Sequence, residues 1–290
     1  MIGRRAFLYS GGAALAVPAA AKRKITVAAH PWVWAATQPR NDIYPILDQI
    51  FADMSYAGME AIELMHTALA PDGAVDRIRA LSRRHRLPVL GTSYSANLWK
   101  REEHARIREE AKLLIGRLAA VGGRTLGISV GDARRPKTPE EFDAQADMLR
   151  QLMELCAAHK VAPNLHNHIY EVAHGEYDLR NTLQRVPEAR LGPDLDWLVG
   201  AGVNPLDFIR TYGNRIVFAH LRDRKANGVW SEAMGEGNLD YAAFGRALRE
   251  VGFAGDVAIE LAHPAGFKPT RPLRESLRMS REYVRRQMGW

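Results

Sequence analysis

The 290 residues are 47% hydrophobic and 25% charged, which excludes a disordered or fibrous chain and leaves enough apolar side chain for a sizeable core. The net charge of +7 is spread over helical runs such as LSRRHR and EYVRRQ, and no basic stripe with interleaved aromatics marks a nucleic-acid groove. The single Cys156 excludes an internal disulfide framework, and its apolar run LMELCAAH reads as a buried, inert thiol.

The chain opens with MIGRRAFLYSGGAALAVPAAA, a basic start (Arg4, Arg5), a short weakly apolar run and small residues through Ala21. Residues 1–21 have the layout of a secretory signal, too short and too rich in Gly and Ala for a membrane span. RRAFL resembles the twin-arginine export motif, which implies export of a folded protein to the periplasm. No cysteine follows the apolar run, so no lipid or membrane anchor is indicated. Removing residues 1–21 takes away two arginines and no acids, so +7 becomes +5.

From residue 24 short apolar runs alternate with amphipathic ones. The predicted strands are 25–30, 60–64, 88–94, 125–130, 161–166, 191–196, 216–221 and 256–261. The helical periods between them carry their own punctuation. IYPILDQIFADMSYAG ends at a Gly C-cap. TPEEF starts a helix with Thr138 as N-cap, Pro139 next and Glu141 closing a capping box. NPLDFIRTYG and NLDYAAFGRALREVGF each start on an Asn cap, and EEHARIREEAKLLIGRLAAVGG ends on paired glycines. Eight strand–helix units predict an α/β fold, a single-domain (β/α)₈ TIM barrel over residues 24–290. An open doubly wound sheet would carry a Gly-rich turn after its first strand, and AAHPWVW has none.

Barrel chemistry sits at the C-terminal ends of the strands. Those ends carry His30, Glu63, His166, Asp194 or Asp196, His220 and Glu260. Burying each alone is unfavourable, whereas around a cation the groups satisfy one another. In NLHNHIYE a period of two puts Asn164, His166 and His168 on one face; singly, either histidine also suits a hydrogen-bonded core position. Glu260 stands alone among apolar residues in VAIELAHP, which suits a ligated or paired carboxylate. Two imidazoles with two carboxylates suit a small divalent ion (Mn, Co, Fe, Zn or Mg) better than Ca²⁺. Such an ion would polarise a carbonyl and stabilise the enediolate left by removal of a neighbouring proton.

Six motifs then occur in order: GMEAIEL, LHNHIYE, D-x-x-W-x-x-x-A-G-x-x-P, AHLRD, MGEGNLD and AIEL. Together they resemble the sugar phosphate isomerase/epimerase superfamily, the xylose isomerase-like TIM barrels, over roughly residues 25–285. The resemblance implies one divalent metal held by Asp194, His220 and Glu260, with Asp196 as the runner-up for Asp194. His166 stands where many members carry Glu and is expected as the fourth ligand, and the HNH-x-x-E form resembles the branch of inosose dehydratases and keto-glycoside lyases or hydratases. The expectation is a metal-dependent lyase or isomerase acting on a sugar or keto-sugar, with ketose or sugar-phosphate epimerisation as the alternative. His168 or Glu260 would be the base, and Glu63 is counted among the catalytic groups as the residue that orients polar groups of the first strands. His30, Glu171 and Arg222 would contact substrate. Trp32 and Trp197 are chosen from Trp32, Trp34, Tyr94, Trp99, Trp197 and Trp230 as rings that stack on the sugar. Glu236 either caps a substrate loop or makes a turn. Self-association is left open. An endonuclease-IV-like DNA repair protein would need more metal ligands than these, and a non-catalytic periplasmic sugar-binding barrel would bind sugar without a metal.

Overall fold

The computed structural model describes residues 24–264 and 266–290; the expected signal at 1–21 lies outside the described residues. Seven parallel strands form one sheet: β1 (Val27–Ala29), β2 (Ala61–Met65), β3 (Val89–Ser95), β4 (Thr125–Ser129), β5 (Ala162–Leu165), β6 (Phe218–Leu221) and β7 (Asp256–Ile259). Their order is β5-β4-β3-β2-β1-β7-β6, with helices on the outside. The two edges approach closure through the segment predicted as a strand at 191–196. Leu191 bridges Leu165 on one side and Ile216 on the other, and Asp194 bridges His220, all parallel.

That segment is not a continuous strand. Pro193 has no N–H to give to a ladder, and Asp194 starts a short helix, Leu195–Gly200. Asp194 Oδ1 accepts hydrogen bonds from the backbone N–H of Asp196 (2.9 Å) and Trp197 (3.1 Å). Asp196 therefore sits on a helix, not on a strand face shared with Asp194. The helix Pro139–Ala158 begins with the expected box: Thr138 Oγ1 accepts from Glu141 N–H at 3.3 Å, and Glu141 Oε2 accepts from Thr138 N–H at 2.8 Å. Helix Pro205–Tyr212 begins on Asn204 as expected. The next helix, Tyr241–Glu250, is capped by Asp240, whose Oδ1 accepts from Ala243 N–H, rather than by Asn238. Gly58 adopts φ +75° just past the helix Leu47–Tyr56, a conformation that disfavours a Cβ.

The main core lies between sheet and helices, around side chains such as Phe51, Ile62, Leu149, Ile209 and Leu248. A small second cluster of Ala28, Ala61, Leu90, Phe218 and Ala258 fills the barrel interior. Above it the interior turns polar: Asn164 Nδ2 donates to Thr125 Oγ1 at 2.9 Å. A Cβ on Gly192 would fall 1.9 Å from Asn164 Oδ1, so glycine leaves space there for the amide. Cys156 is fully buried and burial pushes its thiol up to about 12, as expected of an inert side chain.

Candidate metal centre and substrate cleft

Four buried residues converge at the C-terminal ends of the strands: His166 just past β5, Asp194, His220 in β6 and Glu260 just past β7. One donor atom from each lies within 4.8 Å of the others. His220 Nδ1 faces Glu260 Oε2 at 2.8 Å. His166 Nδ1, His220 Nδ1 and Glu260 Oε2 are all buried without a well-formed hydrogen bond. His220 Nδ1 and Glu260 Oε2 face only each other and Arg222, and His166 Nδ1 has no partner; a divalent ion among the four residues would satisfy the unfilled donors. The donor set, two imidazoles and two carboxylates, fits such an ion.

The surroundings fix these donors. His220 Nε2 lies 2.5 Å from Glu63 Oε2, which holds the proton on Nε2 and leaves Nδ1 as the free donor. Without an ion, burial would lower the His220 pKa, but Glu63 and Glu260 outweigh it and push it up to about 10, so a cation would bind Nδ1 in place of the proton that faces Glu260. Burial holds His166 well below its usual value, reinforced by His220 and His168, so its imidazole is neutral. Burial likewise lowers His30, only partly opposed by Glu260 and Glu63. Burial would raise the Glu260 pKa, yet Arg222, His30 and His220 hold it well below the usual carboxylate range. Arg222 Nη2 lies 2.6 Å from Asp194 Oδ2 and 3.0 Å from Glu260 Oε2. The two carboxylates are thus shared between a fixed guanidinium and the point that the four donors surround.

Asn167, between the two histidines, ties this cluster together. Its Oδ1 accepts from Asp194 N–H at 3.2 Å and its Nδ2 donates to Asp194 C=O at 3.4 Å. His168 stands at the rim, its side chain 39% exposed, so it reaches solvent where His166 does not. Its ring lies parallel to Tyr170 at 5.5 Å and 6.0 Å from Trp197. Burial opposes protonation of His168, but Glu171 overrides it and the pKa is raised.

An open cleft of about 740 Å³ lies above the cluster. His30, Trp32, His168, Trp197, Arg222 and Glu260, all expected at the site, line it. His30 Nε2 pairs with Ser93 Oγ at 3.0 Å while its Nδ1 accepts from Trp32 N–H at 3.3 Å. Tyr94 and Trp230 also face the cleft. Trp34 belongs to the core and Trp99 is not part of the lining.

Several sequence expectations need correction. Glu171 does not line the cleft: it is 4% exposed, and its Oε2 accepts from His168 N–H at 2.7 Å. It caps the first turn of the helix Ile169–Arg185 and orients His168 instead of holding a sugar hydroxyl. Glu63, expected among the catalytic groups, is fully buried behind His220 and outside the cleft wall. Asp196 is bound by Arg224 through two contacts of 2.5 and 2.6 Å and by Trp230 Nε1 at 2.9 Å, so it faces away from the four donors. Glu236 makes a turn, accepting from Ala233 N–H at 3.0 Å and from Arg271 at 2.6 Å. Sequence reading passed over His66, Ser93, His263 and Phe267, which line the cleft. His66 and His263 each lie three residues beyond a strand-end glutamate, Glu63 and Glu260, and that spacing was a usable signal.

The family described as xylose isomerase-like TIM barrel matches residues 51–283. No curated protein matches the sequence. Among solved structures, a D-allulose 3-epimerase from Methylomonas sp. superposes with a TM-score of 0.73 at 17% identity, covering 91% of this chain and 98% of that one. A 3-keto-D-glucoside 4-epimerase from E. coli gives 0.67 at 18%, covering 89% and 100%. A sugar phosphate isomerase/epimerase from Parabacteroides distasonis gives 0.72 at 16%, covering 94% and 96%. At these identities the likeness is one of fold. The family match spans most of the barrel, from the helix before β2 to the last helix, and the chain belongs to the xylose isomerase-like TIM barrel family.

Proposed function

We propose that this chain is a divalent-metal-dependent sugar or keto-sugar lyase or isomerase, working by proton abstraction next to a carbonyl. The observation that carries the reading is the buried His166–Asp194–His220–Glu260 cluster at the floor of the cleft. A divalent ion held by these four residues would supply Lewis-acid polarisation of the substrate carbonyl.

The chain's own residues divide the remaining work. His168, at the rim, would take the proton from the carbon beside the carbonyl, its ring oriented by Glu171. Glu260 also lines the cleft and is the second candidate for the base. Trp32 and Trp197 would cover the faces of the sugar and reduce its contact with water. After proton abstraction, expulsion of a β-substituent gives a lyase, and return of the proton elsewhere gives an isomerase. Having His166 where many family members carry Glu favours the lyase, because one half of a two-carboxylate proton relay becomes an imidazole.

Epimerisation of a ketose is the second reading, favoured by the fold likeness to epimerases of D-allulose and of a 3-keto-D-glucoside. Incubating metal-loaded protein with 3-keto-glycosides, inososes and ketoses, and following products by NMR, separates the readings. An unsaturated product is expected; clean epimerisation would replace the lyase assignment, and no reaction with any member would refute both. Export through the twin-arginine-like segment is part of the same proposal. Periplasmic recovery of the full chain, lost when Arg4 and Arg5 are replaced by Lys, is its test.

A further inference from the structure

We propose that the cleft takes an uncharged, unphosphorylated sugar bearing a second ring, and not a sugar phosphate. This rests on the proposed function in placing the sugar over the four-residue cluster. Barrels hold phosphate with backbone N–H groups of the loops after the last strands, with helix N-termini, or with Arg and Lys side chains. Here, among the described residues, carboxylates of the chain itself fill the amide arrays near the cleft and engage its one arginine.

The loop after β6 folds its amides around Asp223. Oδ2 accepts from Gly235 N–H (2.9 Å) and Gly237 N–H (3.0 Å), and Oδ1 from Arg224 N–H (2.9 Å) and Leu239 N–H (3.2 Å). A Cβ on Gly237 would come within 2.1 Å of Asp223 Oδ1, so the carboxylate fills this amide cradle. The loop after β7 is similarly occupied: Glu232 Oε1 accepts from the N–H of Thr270 (2.9 Å) and Arg271 (3.3 Å). At the two helix starts near the cluster, Asp194 takes the N–H groups of Asp196 and Trp197, and Glu171 takes that of His168. Among the described residues Arg222 is the one Arg or Lys in the cleft wall; its Nη2 is engaged by Asp194 and Glu260, and its Nε, though without a partner, is buried and does not reach the cleft. A phosphate dianion would find no unclaimed donor array there and would face Glu260.

The walls suit a neutral ligand of more than one ring. Trp197 and Trp230 meet edge to face at 5.3 Å on one side, and Phe267 packs on His263 at 4.4 Å on another. Pockets of about 300–1,000 Å³ enclose ligands of drug size. At about 740 Å³ the cleft exceeds the needs of a single sugar ring, which leaves Trp230 and Phe267 for the second.

The test is titration of the metal-loaded full chain, read by saturation-transfer NMR, with the neutral keto-disaccharides lactulose and 3-keto-sucrose against D-fructose 6-phosphate. At least one disaccharide is expected to bind tenfold or more tighter than the phosphate ester. Phe267→Ala is expected to weaken it fivefold or more, with circular dichroism unchanged. Equal or tighter binding of the phosphate ester, no binding of either disaccharide, or full affinity in Phe267→Ala would overturn the proposal. Running the titrations in D₂O keeps it apart from the function it rests on. If the affinity order holds while neither deuterium enters beside the carbonyl nor an unsaturated product forms, the substrate class stands and proton abstraction falls.

Discussion

Glu63 lies 2.5 Å from His220 Nε2 on the side away from Glu260, so its carboxylate decides which imidazole nitrogen is left for a metal. Removing that charge while keeping the shape, Glu63→Gln, is expected to weaken metal binding about 10–100-fold, measured by competition with a chromophoric chelator. Unchanged affinity would mean that Glu63 merely fills space. His168→Asn is expected to leave metal affinity within about twofold of wild type while product formation falls by about 100-fold or more, the range of a lost general base. His166, His220 and Glu260 were legible in the sequence because an ionisable group at the end of an apolar run demands a partner. Glu171 accepts the backbone N–H of His168 as the glutamate of a capping box does, but such a box is usually announced by Ser or Thr and here begins with His, so the sequence does not display it. Asn167 was passed over because its partners, the backbone N–H and C=O of Asp194, lie 27 residues away.

At the scale of single elements, caps and strand ends decide what the sequence makes visible. The Thr138–Pro139–Glu141 box was read from local residues alone, because every atom in it lies within one turn. Thr138→Ala is expected to destabilise the fold by about 1 kcal/mol in urea unfolding. Glu141 also pairs with Arg135 at 2.6 Å, and that hydrogen bond depresses its carboxyl to about 2. A depressed folded-state value means the stabilisation is present above the unfolded value, about 4.3, and is lost as pH falls towards 2. The stability gap between wild type and Glu141→Gln should therefore shrink between pH 6 and pH 3; a constant gap would contradict the pairing. The 191–196 segment was less legible. LGPDLD has strand-like alternation, yet Pro193 breaks the ladder and Asp194 caps a helix, so only bridges at Leu191 and Asp194 survive. That break turns Asp196 away towards Arg224 and leaves Asp194 facing the cluster, a choice the alternation could not make.

Across the whole molecule, the barrel was legible from the even alternation of strand and helix periods, while the shape of the cleft was not. Its walls combine β1, β2, β3 and β4 ends with the loops near Trp197, Trp230 and Phe267, which meet only when the barrel closes. The barrel interior is narrow, with Phe218 packed among Ala28, Ala61, Leu90 and Ala258 below the polar layer. Phe218→Ala is expected to cost about 3–5 kcal/mol in stability, measured by urea unfolding, because the alanines around it cannot collapse into the space. The His166–Asp194–His220–Glu260 cluster joins the β5, β6 and β7 ends, so an ion held there would tie together the part of the barrel where the sheet is interrupted. Bound ion at about 100 times its Kd is expected to add about 2.7 kcal/mol and raise Tm accordingly.

The most direct test is the metal content of chelator-treated and then reloaded protein, wild type beside His220→Ala and Glu260→Ala, after removal of loosely bound ions. The structure predicts close to one divalent ion per wild-type chain and almost none in either variant, with both variants folded by circular dichroism. Full metal in both variants would contradict the account, because neither His220 nor Glu260 would then be needed to hold the ion.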